Sequence, residues 1–167
     1  MVASTFKWAS AAGLATLAFA APAQANPDTN AEAARLCGSG YRVVNDPGGT
    51  PARRAVKTSA GVVYGHVYLT YNSSSRKNCV VTIKSRFVGV ATWTVADLAV
   101  QGRSGPCSGW YCDWGNFKQY AGGPPNYKTT VAAGGRCVEY YGYIFSGPNA
   151  SGTMASGGRL SWGNCGG

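Results

Sequence analysis

The chain has few of the residue patterns that indicate an enzyme. It contains one histidine, His66, and six acidic residues among 167. It lacks the Gly-x-Ser-x-Gly nucleophile turn, the phosphate-binding glycine loop, the dinucleotide fingerprint and the metalloprotease motif. It also lacks a Cys-x-x-Cys pair, which together with the single histidine argues against a zinc site. We therefore expect no catalytic residues, no metal and no other cofactor.

Charged residues and long apolar runs are scarce as well. Charged side chains make up 13% of the chain, and its 15 Lys and Arg residues are scattered. Although the net charge is +9, no nucleic-acid-binding motif occurs, so we expect no nucleic-acid partner. After residue 25 no segment approaches the roughly 20 apolar residues that a membrane helix requires, which predicts no membrane span.

The beginning of the chain has the three regions of a secretory signal peptide. Lys7 is the lone charge, an Ala-rich apolar run follows it, and Ala23-Gln24-Ala25 is a small-x-small cleavage site. We expect residues 1–25 to be removed. The remaining 142 residues, 26–167, would form a single secreted β domain with a net charge of +8.

The six cysteines all lie in the part that we expect to be exported, and an even number there predicts disulfides. Cys107 and Cys112 are five residues apart in a Gly- and Pro-rich stretch, which predicts a local bridge. The other four cysteines can pair in three ways. Of these we favour the pairs Cys37–Cys79 and Cys137–Cys165.

Short β-branched segments with period-2 alternation recur along the chain. The clearest run, 61–84, contains two such segments joined by a polar break and predicts an antiparallel hairpin. Thr29 and Glu32 can form a capping box, and Gly38 can end the short helix that follows. The sequence therefore predicts an all-β fold: a small, disulfide-stapled antiparallel sandwich or barrel with one short N-terminal helix. We predict the remaining strands at 41–44, 87–100, 117–120, 137–144 and 160–162.

Two predicted loops carry candidate binding residues. The first, 45–60, holds Arg53, Arg54 and Lys57, and is either a solvated surface loop or a contact for an anionic wall polymer. The second, 101–115, is closed by the local bridge and holds three aromatic residues. These side chains either stack on sugar rings or a partner surface, or fold back as a lid over the sheet. They are Trp110, Tyr111 and Trp114.

Two sets of residues have the types that hydrolysis requires, but no local motif supports either. His66, Glu139 and Arg136 are the types that a secreted ribonuclease uses. Asp97 and Glu139 both lie on predicted strands, and a glycosidase needs two carboxylates that flank a sugar bond. For His66 we favour a structural position on a sheet face.

Seven segments occur along the chain in a distinctive order and spacing. They are CGSGY (37–41), VYLTYN (67–72), NCVVTIK (78–84), VGVAT (88–92), VQG (100–102), GNFKQYAG (115–122) and AAGGRCV (132–138). In this order the chain resembles the spore-associated protein A family of filamentous, spore-forming actinomycetes. The resemblance implies a small exported protein found with spores and aerial growth, with no known reaction and no catalytic residues to carry over.

The resemblance also bears on the cysteines. It implies cysteines at the positions of Cys37, Cys79, Cys137 and Cys165. The loop of Cys107 and Cys112 and the Arg53-Arg54 region depart from the family pattern.

The family resemblance and the missing catalytic motifs lead to three functional hypotheses. The first is an exported, non-enzymatic protein of the spore or cell surface. The second is a wall-glycan binding module, in which the three aromatic residues of the second loop act with Arg53 and Arg54. The third is a small secreted hydrolase or inhibitor.

Overall fold

The protein is described by a computed structural model, which covers residues 27–126 and 128–166. The predicted signal peptide, 1–25, lies outside the described residues. None of the described helices is long and apolar enough to cross a membrane. The elements are helix α1 (Asn30–Cys37) and strands β1 (Tyr41–Val43), β2 (Arg53–Lys57), β3 (Val63–Asn72), β4 (Lys77–Lys84), β5 (Thr92–Val100), β6 (Tyr111–Phe117), β7 (Tyr120–Gly122), β8 (Thr130–Ala132), β9 (Val138–Phe145) and β10 (Met154–Gly163).

The strands form one antiparallel sheet that curls into a nearly closed barrel. The order along the sheet is β6-β5-β9-β10-β2-β3-β4-β7, with β1 beside β3 and β8 beside β4. The two end strands meet where the backbone N–H of Gly122 donates to Asp113 Oδ2 at 2.8 Å. The prediction of an all-β sandwich or barrel is therefore confirmed, and the architecture is the barrel.

The predicted hairpin is the longest continuous ladder in this sheet. β3 and β4 pair without interruption from Gly65 opposite Lys84 to Asn72 opposite Lys77. The turn between them is held by Asn72, whose Oδ1 accepts hydrogen bonds from the backbone of Ser74 at 2.9 Å and Ser75 at 3.0 Å. Such side-chain-to-backbone bonds make Asn a favoured turn residue.

Alternation along these strands separates two apolar cores. One face of β3 and β4 fills the barrel interior, with Val67, Leu69 and Val80 fully buried. The opposite face carries Tyr68 and Val81, which pack under α1. The short helix therefore buries its apolar side against the outside of the barrel, which supplies the stability that two turns lack by themselves.

The cap and the disulfides agree with the sequence analysis in most respects. Thr29 Oγ1 accepts from the backbone of Glu32 at 3.2 Å, as in a capping box. The Glu32 carboxylate, however, binds Arg35 at 2.6 and 2.7 Å instead of reaching back to Thr29.

The local bridge and both favoured pairs are confirmed, because the three disulfides are Cys37–Cys79, Cys107–Cys112 and Cys137–Cys165.

The prediction that residues 45–60 form a loop is wrong, because Arg53 to Lys57 form strand β2. This strand pairs with β3 over five residues and with β10 at Lys57, opposite Ser156. Arg54 turns toward the barrel interior, where its charge is paired with buried Asp46. An arginine at an inward position hid the alternation on which strand prediction depends.

Other strand boundaries also differ from the prediction. β6 begins at Tyr111, inside the predicted loop 101–115, and the chain turns at 118–119, inside the predicted strand 117–120. β5 starts only at Thr92, after a turn at 87–91. β10 is much longer than the predicted 160–162. Its glycine-rich first half lacks the β-branched residues that indicate a strand, so only its end was predicted.

Candidate functional site: an aromatic face on the outside of the barrel

Four aromatic side chains lie together on the outside of strands β5, β6 and β9. We call Trp93, Trp114, Tyr141 and Tyr143 the aromatic face. Val95 lies at its centre, because it is paired with Trp114 on one side and Tyr143 on the other. Successive residues of a strand point to opposite sides, so these alternate positions all project outward.

The rings of the aromatic face contact one another in two pairs. The centroids of Trp93 and Trp114 are 5.1 Å apart with an interplanar angle of 29°, which is a stacked geometry. The centroids of Tyr141 and Tyr143 are also 5.1 Å apart, with a tilt of 55°. Trp114 is 54% exposed. Helix α1 covers β1, β3 and β4 instead, so among the described elements it leaves this face open.

Asp97 is the carboxylate of this surface. It lies on β5 two residues from Val95, opposite Tyr141 on β9. Burial among these neighbours raises the pKa of Asp97 to about 6. Burial also raises the pKa of Tyr143, with further contributions from Tyr141 and from the Asp97 charge. A carboxylate beside exposed rings can accept hydrogen bonds from sugar hydroxyls while the rings stack on the sugar.

A cleft of about 570 Å³ continues the surface at the end of β5 and β9. Trp110 and Trp162 line it together with Glu139 and Arg103. Because Ala99 is opposite Glu139 and Asp97 is opposite Tyr141, the two acidic residues are diagonal neighbours on one face. Diagonal positions of this kind have Cβ atoms roughly 7 Å apart. The acidic pair considered in the sequence analysis is therefore brought together.

The three aromatic residues proposed as a binding group lie in three different environments. Trp110 is in the end cleft and Trp114 is in the aromatic face. Tyr111 is half-buried and packs against the core inside the barrel. Trp93, Tyr141 and Tyr143 were not predicted from the sequence as partners of Trp114. The available signal was the alternation of aromatic residues on β5 and β9, but strand adjacency was needed to combine them.

Arg53 and Arg54 are also separated, because neighbours in β2 point to opposite sides of the sheet. Arg53 lies outside, where its Nε donates to the Tyr68 hydroxyl at 2.9 Å. Arg54 turns inward and forms an ion pair with Asp46. They do not form one basic patch.

His66 belongs to a cluster that ties the segment before α1 to the sheet. Its Nδ1 lies 2.5 Å from Asp28 Oδ2, and the Tyr68 hydroxyl donates to Asp28 Oδ1 at 2.6 Å. Burial, with the Asp28 hydrogen bond, raises the pKa of Tyr68. The ribonuclease-type trio is not assembled. The described neighbours of the His66 ring include Asp28, Arg53 and Tyr68, while Glu139 lies at the end cleft. The position on a sheet face agrees with the prediction for His66.

A second charged cluster lies inside the barrel around Asp46. Arg159 Nε lies 3.1 Å from Asp46 Oδ1, and the Tyr140 hydroxyl donates to Asp46 Oδ2 at 2.9 Å. Burial and the Asp46 hydrogen bond raise the pKa of Tyr140. With Arg54 included, two guanidinium groups share one carboxylate. Among the described residues no group of three or more His, Cys, Asp and Glu side chains is placed to hold a metal ion.

Comparison with known proteins gives one informative similarity. No protein-family model matches the chain, and no solved structure matches it. Spore-associated protein A of Streptomyces coelicolor is 40% identical over 110 residues, which are 65% of this chain and 56% of that protein. The match thus spans little more than half the length of the curated relative. It confirms the resemblance that the sequence segments indicated, and this chain is similar to spore-associated protein A.

Proposed function

We propose that the protein is an exported, non-enzymatic protein of the spore or cell surface, held there by its aromatic face. Three disulfides support an oxidising, extracellular compartment. The similarity to spore-associated protein A supports a place on the spore. The observation that carries the mode of attachment is the stacking of half-buried Trp93 on exposed Trp114.

The aromatic face suits a wall glycan as its ligand. Exposed aromatic rings that form a patch are unfavourable in water and are typical of binding surfaces. Here the rings are fixed on neighbouring strands, so little side-chain entropy remains to be lost on binding. The apolar faces of sugar rings would stack on Trp114 and Tyr143, while their hydroxyls would donate to Asp97.

The test is co-sedimentation of the purified protein with spore walls, peptidoglycan and chitin across a salt series. We expect saturable binding that survives high salt, because stacking is not screened as exposed charge contacts are. Trp114→Ala should weaken the binding about fivefold or more, in line with roughly 1–3 kcal/mol for a well-packed aromatic contact.

Two further variants locate the surface. Tyr71→Ala removes an aromatic ring from β3, far from the aromatic face along the sheet, and should bind like the parent. Trp110→Ala reports whether the end cleft takes part, since this residue lines it. If Trp114→Ala binds as well as the parent, the aromatic face is not the attachment surface.

A second candidate is glycan hydrolysis by Asp97 and Glu139. The observation that favours it is their diagonal placement on one face, beside a cleft lined by Trp110 and Trp162. Inverting glycosidases separate their two carboxyl groups by about 6.5–9.5 Å, and the raised pKa of Asp97 suits a general acid. Release of new reducing ends from wall glycan, abolished by Glu139→Gln, would support this function. No release by the parent would eliminate it.

A further inference from the structure

Strand β10 ends in a bulge that lies opposite Glu139. The register between β10 and β9 shifts after Arg159, so that residues 160–162 of β10 face the single residue Glu139 of β9. A bulge of this kind changes the direction of the side chains that it carries. Here it presents Leu160 and Trp162 to solvent, with exposed fractions of 61% and 45%.

Arg159 ties this bulge to the barrel. Its guanidinium donates to the backbone carbonyls of Ser161 at 2.9 Å and Val138 at 3.1 Å. The same guanidinium forms an ion pair with buried Asp46. The segment that carries Trp162 is therefore held in place before any ligand arrives, so little conformational entropy remains to be lost when a ligand contacts this ring.

The end cleft brings a second fixed tryptophan to the same place. Trp110 and Trp162 line the cleft together with Glu139. Trp110 exchanges two backbone hydrogen bonds with Cys107, at 2.9 and 3.0 Å, inside the loop that the bridge to Cys112 closes. The cleft volume of about 570 Å³ is in the range of ligand-binding pockets. One cavity thus combines a carboxylate with two indole rings on fixed backbone.

The negative charge at this cleft is not neutralised by the protein. The chain has six acidic residues, and four of them form ion pairs with basic side chains. Those four are Asp28, Glu32, Asp46 and Asp113. The other two, Asp97 and Glu139, have no ion pair among the described residues, and they are diagonal neighbours on this surface. Two carboxylates without cations at adjoining positions favour a cationic occupant.

Arg103 also lines the cleft, but it forms no ion pair with Glu139. Its Nη1 donates to the backbone carbonyl of Ala132, the last residue of β8, at 2.6 Å. The two tryptophans add to the preference for a cation, because the face of an indole ring attracts positive charge more strongly than that of any other aromatic side chain. Carboxylate and rings therefore point to the same class of ligand.

We propose that the end cleft binds a protonated amino group of the wall glycan, so that the polymer on the aromatic face is one whose amino sugars carry free amines. The inference rests on the proposed attachment through that face and names the class of glycan. Glu139 would accept charge-assisted hydrogen bonds from the ammonium group, with Trp110 and Trp162 beside it. Glu139 and Tyr141 are alternate residues of β9, roughly 7 Å apart, so one chain of linked sugars can reach both the cleft and the aromatic face.

The experiment compares two forms of one ligand by titration calorimetry. The purified protein is titrated with soluble chitosan oligomers and with the same oligomers after chemical N-acetylation, in a mildly acidic buffer in which free sugar amines carry protons. We expect the parent to bind the free-amine form about tenfold more tightly at low salt and by a smaller factor as salt rises. The net positive charge of the chain repels a polycation, so overall charge cannot produce this preference.

The variants identify the group that recognises the amine. Glu139→Gln keeps the shape of the side chain without its charge and should bind both oligomers equally. Arg103→Gln removes the positive charge that lines the same cleft and should keep the preference for free amines. If the parent shows no preference, or if Glu139→Gln keeps it, the amine site is refuted. Loss of the preference in Arg103→Gln but not in Glu139→Gln would also refute it.

Trp114→Ala keeps this inference separable from the proposed function. This variant should bind both oligomers more weakly by the same factor, so the preference for free amines should stay. A parent that binds both forms equally, with both affinities lowered in Trp114→Ala, would refute the amine site and leave the aromatic face standing. A parent that binds neither form would refute both.

Discussion

Replacing Asp97 with asparagine should stabilise the folded protein and at the same time weaken glycan binding. Asp97 is a half-buried carboxylate, and no described side chain forms an ion pair with it. Burial raises its pKa to about 6, compared with about 3.9 for an unperturbed aspartate. The charged form is therefore less favourable in the folded state than in the unfolded state. An asparagine side chain at this position would keep nearly the same shape without the charge.

The pKa difference sets the size of the effect. The folded and unfolded pKa values of Asp97 differ by about two, and each pKa unit corresponds to roughly 1.4 kcal/mol. The upper limit of the effect on the free energy of unfolding is therefore about 3 kcal/mol. Because the carboxylate is partly exposed and screened, we expect Asp97→Asn to add about 1–2 kcal/mol to the free energy of unfolding at pH 7.5. For a domain of this size that corresponds to a rise of about 3–8 °C in Tm.

The pH dependence gives the sign of the effect independently. Between about pH 4 and 6 folded Asp97 retains a proton that the unfolded chain has lost. Its contribution to stability is therefore fully present below about pH 4 and is lost as pH rises through about 6. The gain from Asp97→Asn should grow over this range and stay constant above it. Thermal unfolding followed by tryptophan fluorescence, from pH 4 to 8 with the disulfides intact, measures this directly.

Glu139→Gln is the matched control, because it removes the same charge from the same face at the edge of the open cleft. We expect a smaller gain from this control. If Asp97→Asn is no more stable than the parent at pH 7.5, or if its gain does not change between pH 4 and 6, the burial argument is refuted. If it is more stable and binds glycan like the parent, Asp97 has no role in the proposed site.

Three other predictions concern stability. Burial lowers the pKa of Lys84 to about 8. As pH rises, the folded protein therefore loses this proton at a lower pH than the unfolded chain does, and the free energy of unfolding should rise from about pH 8 to 10.5. In Lys84→Met, measured by urea unfolding, that rise should be absent. Asp28→Ala should cost about 2 kcal/mol, since it would leave the hydroxyl of buried Tyr68 without its acceptor. It should also speed proteolysis before α1; unchanged cleavage would contradict a role of Asp28 in tying this segment to the sheet. Removing the Cys37–Cys79 bridge, which spans 42 residues, should cost about 4 kcal/mol and removing the local bridge only about 2; equal losses would contradict the loop-entropy argument.

Local patterns were sufficient for several parts of the fold. The 61–84 hairpin has two β-branched, alternating strands and a polar turn between them, and each of these signals depends only on neighbours in the chain. The cysteine spacing predicted the local bridge for the same reason. Strand β2 was missed because one of its two inward residues is Arg54, while only the other, Val56, is apolar. Only the folded chain shows that Asp46 neutralises part of that charge.

The candidate site depends on pairing between strands that are distant in the chain. Trp114 was recognised as a binding candidate from its place in a tight, cysteine-bearing segment. Its real neighbours are Trp93 on β5 and, across Val95, Tyr143 on β9. No local signal says that β9, almost 40 residues further on, lies beside β5. The same holds for Asp97 and Glu139, which become neighbours only through that pairing.

The sequence by itself determined the 61–84 hairpin, with its two distinct faces, and the local Cys107–Cys112 bridge, because alternation and loop closure act along the chain. It also carried the similarity to spore-associated protein A. The tertiary structure decided which outward faces lie side by side. It joined aromatic residues from three strands into one open surface and placed Asp97 within it. That surface depends on the order of strands around the barrel, which is set by packing between distant parts of the chain.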